Sequence, residues 1–230
     1  MYLYETHCHN KHSSNCAVYS AEETLKFYLA NGYTGIFVTD HFINGNATVN
    51  YEKPNAPYEE KVEAFFLGYE KIKKAAKKRL QVFFGLEYSY KGTDVLAYGL
   101  KKEDLLKMPI EARTNMNVFI EYARAKGALT VQAHPFREAG YIDHIRLFPK
   151  VDGVVTYNAN RTELCNRLGE LYATEYEKIK IGGSDYHGGN QRMLSGMAFE
   201  EKLQSEEDFV ARLKNGEGEI VKKANALFIF

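Results

Sequence analysis

Five of the seven histidines follow short apolar runs that have the character of β-strands, and these histidines could bind metal ions. They are His7, His9, His41, His134 and His187. Two carboxylates, Glu87 and Asp185, occupy the same kind of position. Because the carboxyl ends of parallel strands gather on one face of a barrel, we expect these side chains to converge on one pocket. Imidazole and carboxylate together suit zinc, iron or manganese better than calcium or magnesium.

The spacing within two motifs places pairs of ligands on one side of the chain. In His7-Cys8-His9 an extended backbone directs alternate side chains to one face, so both imidazoles can reach the same ion. Asp185 and His187 repeat this spacing near the other end of the chain. The seven candidate ligands exceed the three protein ligands and one water of a mononuclear catalytic site. The sequence therefore predicts two or three divalent ions.

Two acidic residues are expected to play different parts in this centre. Glu87 is the candidate for a bridging ligand, because the two oxygens of a carboxylate can serve one ion each. Asp40 precedes His41 and is expected to orient a ligand without touching an ion. Both residues follow apolar runs, which places them at the predicted metal face.

Three arginines could form an anion-binding side of the same pocket. Arg137 follows His134 closely, and its planar guanidinium matches two oxygens of a phosphate group. Arg161 and Arg192 also lie just beyond predicted strands. All three are therefore candidates for contact with an anionic substrate, with a salt bridge or a solvated surface as the alternative for Arg161 and Arg192, and we expect Arg137 to stabilise charge during the reaction.

The elements that must position these residues alternate along the chain as short apolar runs and longer amphipathic segments. Strands are predicted at 3–7, 35–39, 80–86, 95–100, 128–133, 153–157 and 180–183, with a last apolar run at 226–230; helices are predicted at 21–31, 58–79, 115–126, 163–177 and 206–215. About seven strands favour an irregular α/β barrel over an open sheet. The long segment 41–57 is expected to form a lid or one wall of the site.

Composition limits the class of protein. The 230 residues fit one domain, 1–230, and the 30 basic and 30 acidic residues cancel, which argues against binding to long nucleic acids or to an anionic membrane. Three scattered cysteines do not form a disulfide framework, so a reducing cytoplasm is expected. We find no signal peptide and no apolar run long enough for a membrane span.

Five motifs occur in a fixed order: His7-x-His9, Thr39-Asp40-His41, Gly85-Leu86-Glu87, Ala133-His134-Pro135 and Gly183-Ser184-Asp185-Tyr186-His187. Together they resemble the PHP family, which is named for polymerase and histidinol phosphatase domains. The resemblance spans nearly the whole chain. It implies a distorted (β/α)7 barrel with a metal site at the C-terminal ends of the strands, usually trinuclear, and hydrolysis of phosphate esters.

The resemblance also implies which ligands share an ion. The implied sets are His7, His9, Glu87 and Asp185 for one ion, His41 and His187 for another, and Glu87 and His134 for the third. The chain departs from the family at two positions. Asn15 stands where Asp or His is common, and Leu96 stands where another His is frequent, although Asp94 would compensate in an altered register. His12, in the first loop, remains open between a ligand and a packing role.

The expected activity is hydrolysis of a small phosphomonoester, such as histidinol phosphate, by attack of a hydroxide that bridges two ions, with phosphate as the product. Glu87 and Asp185 would hold the ions for this step. One alternative is a nucleotide or oligonucleotide phosphodiesterase or exonuclease, for which the 17 tyrosines offer stacking surfaces. Others are an amidohydrolase, which would need a bridging lysine where Glu87 stands, and a metal-binding protein without activity.

Overall fold

The computed structural model describes residues 1–228, which form a mixed α/β fold around a sheet that curls into a nearly closed barrel. The strands within these residues are β1 (Tyr2–Cys8), β2 (Gly35–Val38), β3 (Gln81–Tyr90), β4 (Thr93–Tyr98), β5 (Leu129–Ala133), β6 (Gly153–Asn158), β7 (Ile179–Gly183), β8 (Met193–Phe199) and β9 (Glu219–Ala224). Their order in the sheet is β7-β6-β5-β4-β3-β2-β1-β8-β9. The predicted α/β barrel is therefore confirmed.

Hydrogen bonds between the ends of β1 and β7 bring the two sides of the sheet together. The backbone N–H of Tyr186 donates to the carbonyl of His7 (3.2 Å), and the N–H of His9 donates to the carbonyl of Tyr186 (2.9 Å). The hydroxyl of Thr6 donates to the carbonyl of Gly182 (2.7 Å). These contacts place the first and last ligand motifs of the chain side by side.

Strand β4 corrects the prediction of a uniform run of β/α units. It pairs antiparallel with both β3 and β5, whereas β1–β2, β2–β3, β5–β6 and β6–β7 are parallel. The reason is local, because only Lys91 and Gly92 separate β3 from β4, and so short a connection makes a hairpin and not a crossover. The start of β4, not its end, therefore lies on the same face as the carboxyl ends of the parallel strands.

The hairpin of β8 and β9 is a second difference from the predicted elements. Strand β8 pairs antiparallel with β1 and with β9. Neither strand was predicted, because β8 is rich in small residues and Met, and β9 is half charged. In place of the apolar strand predicted at 226–230, residues 226–228 contain no strand, and residues 229 and 230 lie outside the described residues.

The helices largely follow the predicted positions. They are α1 (Ala21–Ala30), α2 (Val49–Glu52), α3 (Tyr58–Phe65), α4 (Leu67–Ala76), α5 (Lys102–Leu106), α6 (Ile110–Thr114), α7 (Met116–Ala125), α8 (Glu163–Glu175) and α9 (Glu206–Lys214). Helix α1 begins with a capping box of Ser20 and Glu23. The helix predicted at 58–79 is two helices, α3 and α4, which meet at Phe66. Within residues 1–228, no helix is long and apolar enough to cross a membrane.

The barrel interior is filled by large apolar side chains, which makes the lower part of the barrel a packed core. Phe37, Leu96, Tyr98, Val131 and Phe209 belong to this cluster and are buried. Leu96 therefore serves packing, as its residue type suggests. The candidate metal ligands lie beyond this apolar core, at one end of the barrel.

Candidate metal centre

The structure brings all seven predicted ligands into one cluster at one end of the barrel. His7 and His9 come from β1 and its end, His41 follows β2, Glu87 lies within β3, His134 follows β5, and Asp185 and His187 follow β7. All are buried except His41 and His187, which are partly exposed. As predicted, Cys8 faces away from this cluster, and its thiol contacts the carbonyl of Phe37 at 3.3 Å. Ligands that are far apart in the sequence therefore lie close together in the fold.

Backbone hydrogen bonds fix His41 beside Glu87. The two residues form an isolated parallel bridge beyond the end of β2. The N–H of Glu87 donates to the carbonyl of Asp40 (3.0 Å), and the N–H of Phe42 donates to the carbonyl of Glu87 (2.8 Å). Because these bonds continue the β2–β3 ladder past the strand end, the position of His41 depends on the sheet and not on a free loop.

Two of the candidate ligands adopt a backbone conformation that L-residues rarely use. His134 has φ of 31° and Asp185 has φ of 52°. Positive φ at a residue other than glycine costs on the order of 1–3 kcal/mol and is concentrated at functional sites. Both residues come directly after or two residues after a strand, so the sharp turn that ends the strand also sets the direction of the ligand.

The two oxygens of Glu87 contact different histidines. Its Oε1 lies 3.2 Å from Nε2 of His7 and 3.3 Å from Nε2 of His134. Its Oε2 lies 2.8 Å from Nδ1 of His41 and 3.4 Å from Nε2 of His9. Ligand atoms bound at about 2.0–2.1 Å to one tetrahedral ion are roughly 3.3 Å apart, so most of these separations match shared coordination. The arrangement suits a carboxylate that bridges ions.

The donor atoms fit divalent metal ions in number, type and lack of other partners. Four overlapping groups have donor atoms within 4.8 Å of one another: His9, His41 and His187; His7, His134 and Asp185; His7, His9 and Glu87; and Glu87, Asp94 and His134. Nε2 of His7, Nε2 of His9 and both oxygens of Glu87 are buried, and apart from their contacts within the cluster they have no hydrogen-bond partner. Buried polar atoms without partners are costly, so this cluster is arranged for ligands that the protein itself does not supply.

Asp94 lies among the candidate ligands, whereas the sequence left open whether it would compensate for Leu96. Its Oδ2 lies 3.7 Å from Nε2 of His134, and it belongs to the group formed with Glu87. Asp94 lies near the start of β4, where it pairs with Ala133 of β5. Since β4 is antiparallel, its first residues reach the metal face while Leu96, two residues later, packs deeper in the barrel. The group with Glu87 and His134 therefore contains the carboxylate of Asp94, although Leu96 stands where the resemblance had implied a histidine.

The charges in the cluster keep Glu87 and Asp185 ionised and His9 neutral, the forms in which these three residues bind a metal ion. Burial disfavours ionisation, but the positive charges of His7 and His41 hold the pKa of Glu87 well below its usual range. His7 acts in the same direction on the pKa of Asp185, which is also lowered against the effect of burial. Burial, with the charges of His187 and His41, lowers the pKa of His9 well below its usual value. Ionised carboxylates and a neutral imidazole are the ligating forms.

A serine that the sequence analysis did not identify orients one of the ligands. The hydroxyl of Ser14 lies 3.1 Å from Nδ1 of His9 and 2.6 Å from Oδ1 of Asp40, and it accepts from the N–H of His41 (3.0 Å). Asp40 also accepts from the backbone and side-chain amides of Asn10. Asp40 thus contacts Ser14, which in turn contacts His9, and this arrangement allows Asp40 to orient a ligand without touching an ion, as was expected. Serine has no spacing signal of its own, so the sequence offered no means of finding it.

Replacing Ser14 with Ala should weaken metal binding while the fold persists. The change leaves Nδ1 of His9 and the buried Asp40 carboxylate without their shared partner, and loss of such partners typically costs about 10–100-fold in metal affinity or activity. Metal titration of the purified variant measures the effect. Ser13→Ala is the matched control, because the buried Ser13 hydroxyl bonds Phe65 and Gly68 and contacts no ligand. Equal losses in both variants would contradict a specific role for Ser14.

A cavity of about 600 Å³ lies against the cluster, and two of the three predicted arginines line it. Arg137 donates to the carbonyl of Gly92 (3.0 Å) and lies 3.4 Å from Asp94. Arg161 donates to Oδ2 of Asp185 (2.8 Å). The segment 41–57 contributes Gly45, Asn46 and Tyr51 to the lining, so it forms one wall of the cavity.

Several other residues considered from the sequence lie apart from the cluster. Arg192 is exposed and lines a separate depression on the surface. His12 lies 3.1 Å from Nζ of Lys71 and belongs to none of the four ligand groups. Asn15 is exposed and does not line the cavity. His144 lies in an irregular segment with an exposed side chain.

Cys16, the neighbour of Asn15, is a cavity residue that the sequence analysis did not identify. It lines the cavity beside His41 and His187. Although burial opposes the shift, the neighbouring imidazoles of His187 and His41 lower the pKa of the Cys16 thiol to about 6.

Comparison with known proteins supports the fold. No protein-family model matches the chain, and no curated protein matches it either. A two-domain protein of known structure from Bacteroides vulgatus, described as containing a predicted PHP-like metal-dependent phosphoesterase, is 12% identical with a TM-score of 0.68, over 96% of this chain and 64% of that chain. A protein from Bifidobacterium adolescentis, provisionally described as a metal-dependent phosphoesterase, is 13% identical with a TM-score of 0.56, over 91% and 94% of the chains.

A third structure with this fold is an amidohydrolase from Chromobacterium violaceum with bound sulfate, 13% identical with a TM-score of 0.50, over 80% of this chain and 87% of that chain. The chain therefore has the fold of PHP-like metal-dependent phosphoesterases, which confirms the predicted resemblance to the PHP family at the level of the fold. At these identities, the activity must be argued from the residues of the site.

Proposed function

We propose that this protein is a metal-dependent hydrolase that acts on phosphate esters, with a small phosphomonoester as substrate. The proposal rests on two features that occur together. The candidate ligand groups overlap, with Glu87 common to two of them, and two arginines line the cavity beside these ligands. The ligand groups suit divalent cations, and the arginines suit an anion bound beside them.

The arginines support an anionic substrate through the donors that they leave unpaired. Arg137 and Arg161 each use one terminal nitrogen on a protein acceptor. The Nε of each guanidinium is buried and makes no hydrogen bond within the protein. An unsatisfied buried donor costs about 1–3 kcal/mol, and a phosphate oxygen would remove that cost. Their common cavity allows both groups to contact one phosphoryl group.

Each part of the site then has a separate task in hydrolysis. Divalent ions, when bound, supply Lewis acidity and lower the pKa of water to near neutrality. Glu87 and Asp185 remain ionised and fix the positions of the cations, while Ser14 and Asp40 hold the ring of His9. Arg137 and Arg161 would orient the phosphoryl group and offset negative charge as it shifts toward the leaving oxygen.

The size and polarity of the cavity favour a small ester as substrate. Its volume of about 600 Å³ is within the range for small-molecule sites. Tyr51 and Tyr141 line the same cavity and are largely exposed, which keeps a nucleotide or an oligonucleotide end as the second candidate substrate. The zero formal net charge argues against long nucleic acids.

An amidohydrolase is the second candidate activity, because one structure with this fold is described as an amidohydrolase. A bridging lysine was the expected mark of that class. Among the described residues, no lysine lines the cavity, and the carboxylate of Glu87 has the bridging position. Two arginines beside the ligands also suit a phosphoryl group better than a neutral amide. We therefore rank phosphoester hydrolysis first.

The experiment that tests the proposal measures product release by protein stripped of metal and then reloaded with zinc, manganese or iron. The substrate panel holds histidinol phosphate, generic phosphomonoesters, nucleotides, a phosphodiester and a set of amides. We expect metal-dependent phosphate release that is fastest with a small phosphomonoester. Faster diester cleavage would move the assignment to the second substrate, and amide cleavage to the second activity. Silence from protein that is shown to be metal-loaded would contradict the proposal.

A further inference from the structure

Strand β1 contains a β-bulge at its pair of histidine ligands. The residues of β1 that pair with β2 on either side of the bulge are Glu5 and Cys8. Two residues of β1, Thr6 and His7, lie between these positions, whereas β2 has only Phe37 there. Two residues opposite one make a bulge, which bends the strand and interrupts its ladder of hydrogen bonds.

The bulge decides which face of β1 carries the histidines. Tyr4 packs in the apolar cluster inside the barrel, whereas Cys8 packs outside it, in the cluster formed with helices α1 and α4. Residues four apart on a regular strand face the same side. A regular β1 would therefore turn Cys8 inward with Tyr4. His7 and His9 would then face the helices and not the metal centre.

The carboxylate of Glu5 accepts hydrogen bonds from the bulged backbone. Its Oε1 accepts from the N–H of Thr6 (3.0 Å), the N–H of His7 (3.0 Å) and the N–H of Ser184 (2.8 Å). Its Oε2 accepts from the hydroxyl of Tyr28 (3.3 Å). Because a bulge interrupts the ladder, its N–H groups need an acceptor from elsewhere, and Glu5 supplies one.

The same oxygen of Glu5 links the first ligand motif to the last. Ser184 directly follows β7 and precedes Asp185, so the bond to its N–H holds the backbone where the strand turns into the ligand pair. Glu5 is completely buried and belongs to none of the four ligand groups. A buried carboxylate is costly unless hydrogen bonds satisfy it, and a role in building the site gives a reason for a charged residue at this position.

We infer that Glu5 is a positioning residue of the metal centre, which acts by fixing the bulge of β1. The bulge turns His7 and His9 toward the ions, and the bond to Ser184 aligns them with Asp185 across the two strands. Glu5 itself contacts neither an ion nor the substrate in this role. The inference rests on the proposed metal-dependent function and explains how the chain builds the ligand set of that function.

The first test uses Cys8 to report which way β1 faces, by iodoacetamide labelling and mass spectrometry of stripped full-length protein. Glu5→Leu removes the acceptor at similar size, so β1 should lose its bulge and turn Cys8 toward the cavity. Labelling of Cys8 should rise by about tenfold or more, because burial keeps this thiol unreactive. Cys165, buried elsewhere, should stay protected. Unchanged protection of Cys8 would overturn the inference, and so would equal labelling of both thiols, which would mean general unfolding.

The second test measures zinc affinity in two milder variants. Glu5→Asp keeps the charge but is one methylene shorter, so it should weaken zinc binding by about 10–100-fold, the range for groups that orient ligands. Glu5→Gln keeps an acceptor oxygen at the original reach and should bind zinc nearly as well as the wild-type protein.

Thr6→Val is the matched control, because the Thr6 hydroxyl also joins β1 to β7, through the carbonyl of Gly182, without contacting the backbone of a ligand. It should keep the wild-type affinity. Equal losses in Glu5→Asp and Thr6→Val, or in Glu5→Asp and Glu5→Gln, would overturn the inference. Absence of zinc binding by the wild-type protein would instead overturn the proposed function, and the labelling of Cys8 would still test the role of Glu5 in the bulge.

Discussion

Glu87→Gln should lower metal content and reduce phosphoester hydrolysis by more than about 100-fold, beyond the range for residues that only orient ligands. The substitution keeps the shape of the side chain but replaces one anionic oxygen with an amide nitrogen that has no lone pair for an ion. Oε1 of Glu87 contacts His7 and His134, and Oε2 contacts His9 and His41, so loss of either oxygen removes a ligand from one group.

Metal analysis and steady-state kinetics on the same preparation measure the two effects together. Glu121→Gln is the matched control, because Glu121 is exposed and pairs with Lys150 on the surface. The control should keep both metal content and rate. A Glu87→Gln protein with full metal content and full activity would contradict a bridging role, and a protein with full metal content but no activity would place Glu87 in catalysis and not in metal binding.

Reloading the stripped protein with zinc should raise its thermal midpoint, Tm, by about 8–16 °C. An ion that binds the folded chain alone at a thousand times its Kd stabilises that chain by about 4 kcal/mol. A gain of 1 kcal/mol shifts Tm by about 2–4 °C for chains of 150–250 residues. The buried carboxylates of Glu87, Asp94 and Asp185 give the ion a site that exists only after folding.

Calorimetry or dye-monitored melting across a zinc titration measures this shift. Glu121→Gln should show the same shift as the wild-type protein, and Glu87→Gln should show a smaller one. If zinc binds but Tm does not change, the ions bind folded and unfolded chains alike, and the buried cluster is not their site.

The candidate ligands could be predicted from the sequence because each of them is marked by its position next to an apolar run. Each candidate ligand lies at or just beyond an apolar run, and strands with buried faces are the elements that such runs form. In a barrel of parallel strands the carboxyl ends share one face, so position relative to a strand was enough to predict that His41 and His187 would lie near His7. The structure places all seven predicted ligands in one cluster.

Strand direction was decided by tertiary structure, and it changed the outcome at β4. A strand at 95–100 was predicted, but its direction was not, since an apolar run has the same appearance in a parallel or an antiparallel sheet. The short turn of Lys91 and Gly92 makes β4 antiparallel. This reversal places Asp94 at the metal face and Leu96 in the core, whereas family spacing had directed attention to Leu96.

The sequence by itself determined the chemistry of this protein: the types of ligand, their order along the chain and the strands that carry them. Tertiary structure decided which side chains contact one another, such as Ser14 and His9, and which residues line the cavity, where Arg161 is present and Arg192 is not. The physical reason is the difference in range. Strand formation and side-chain alternation depend on neighbours in sequence, whereas a shared ion or a shared hydrogen bond depends on loops and strand register, which only the folded chain fixes.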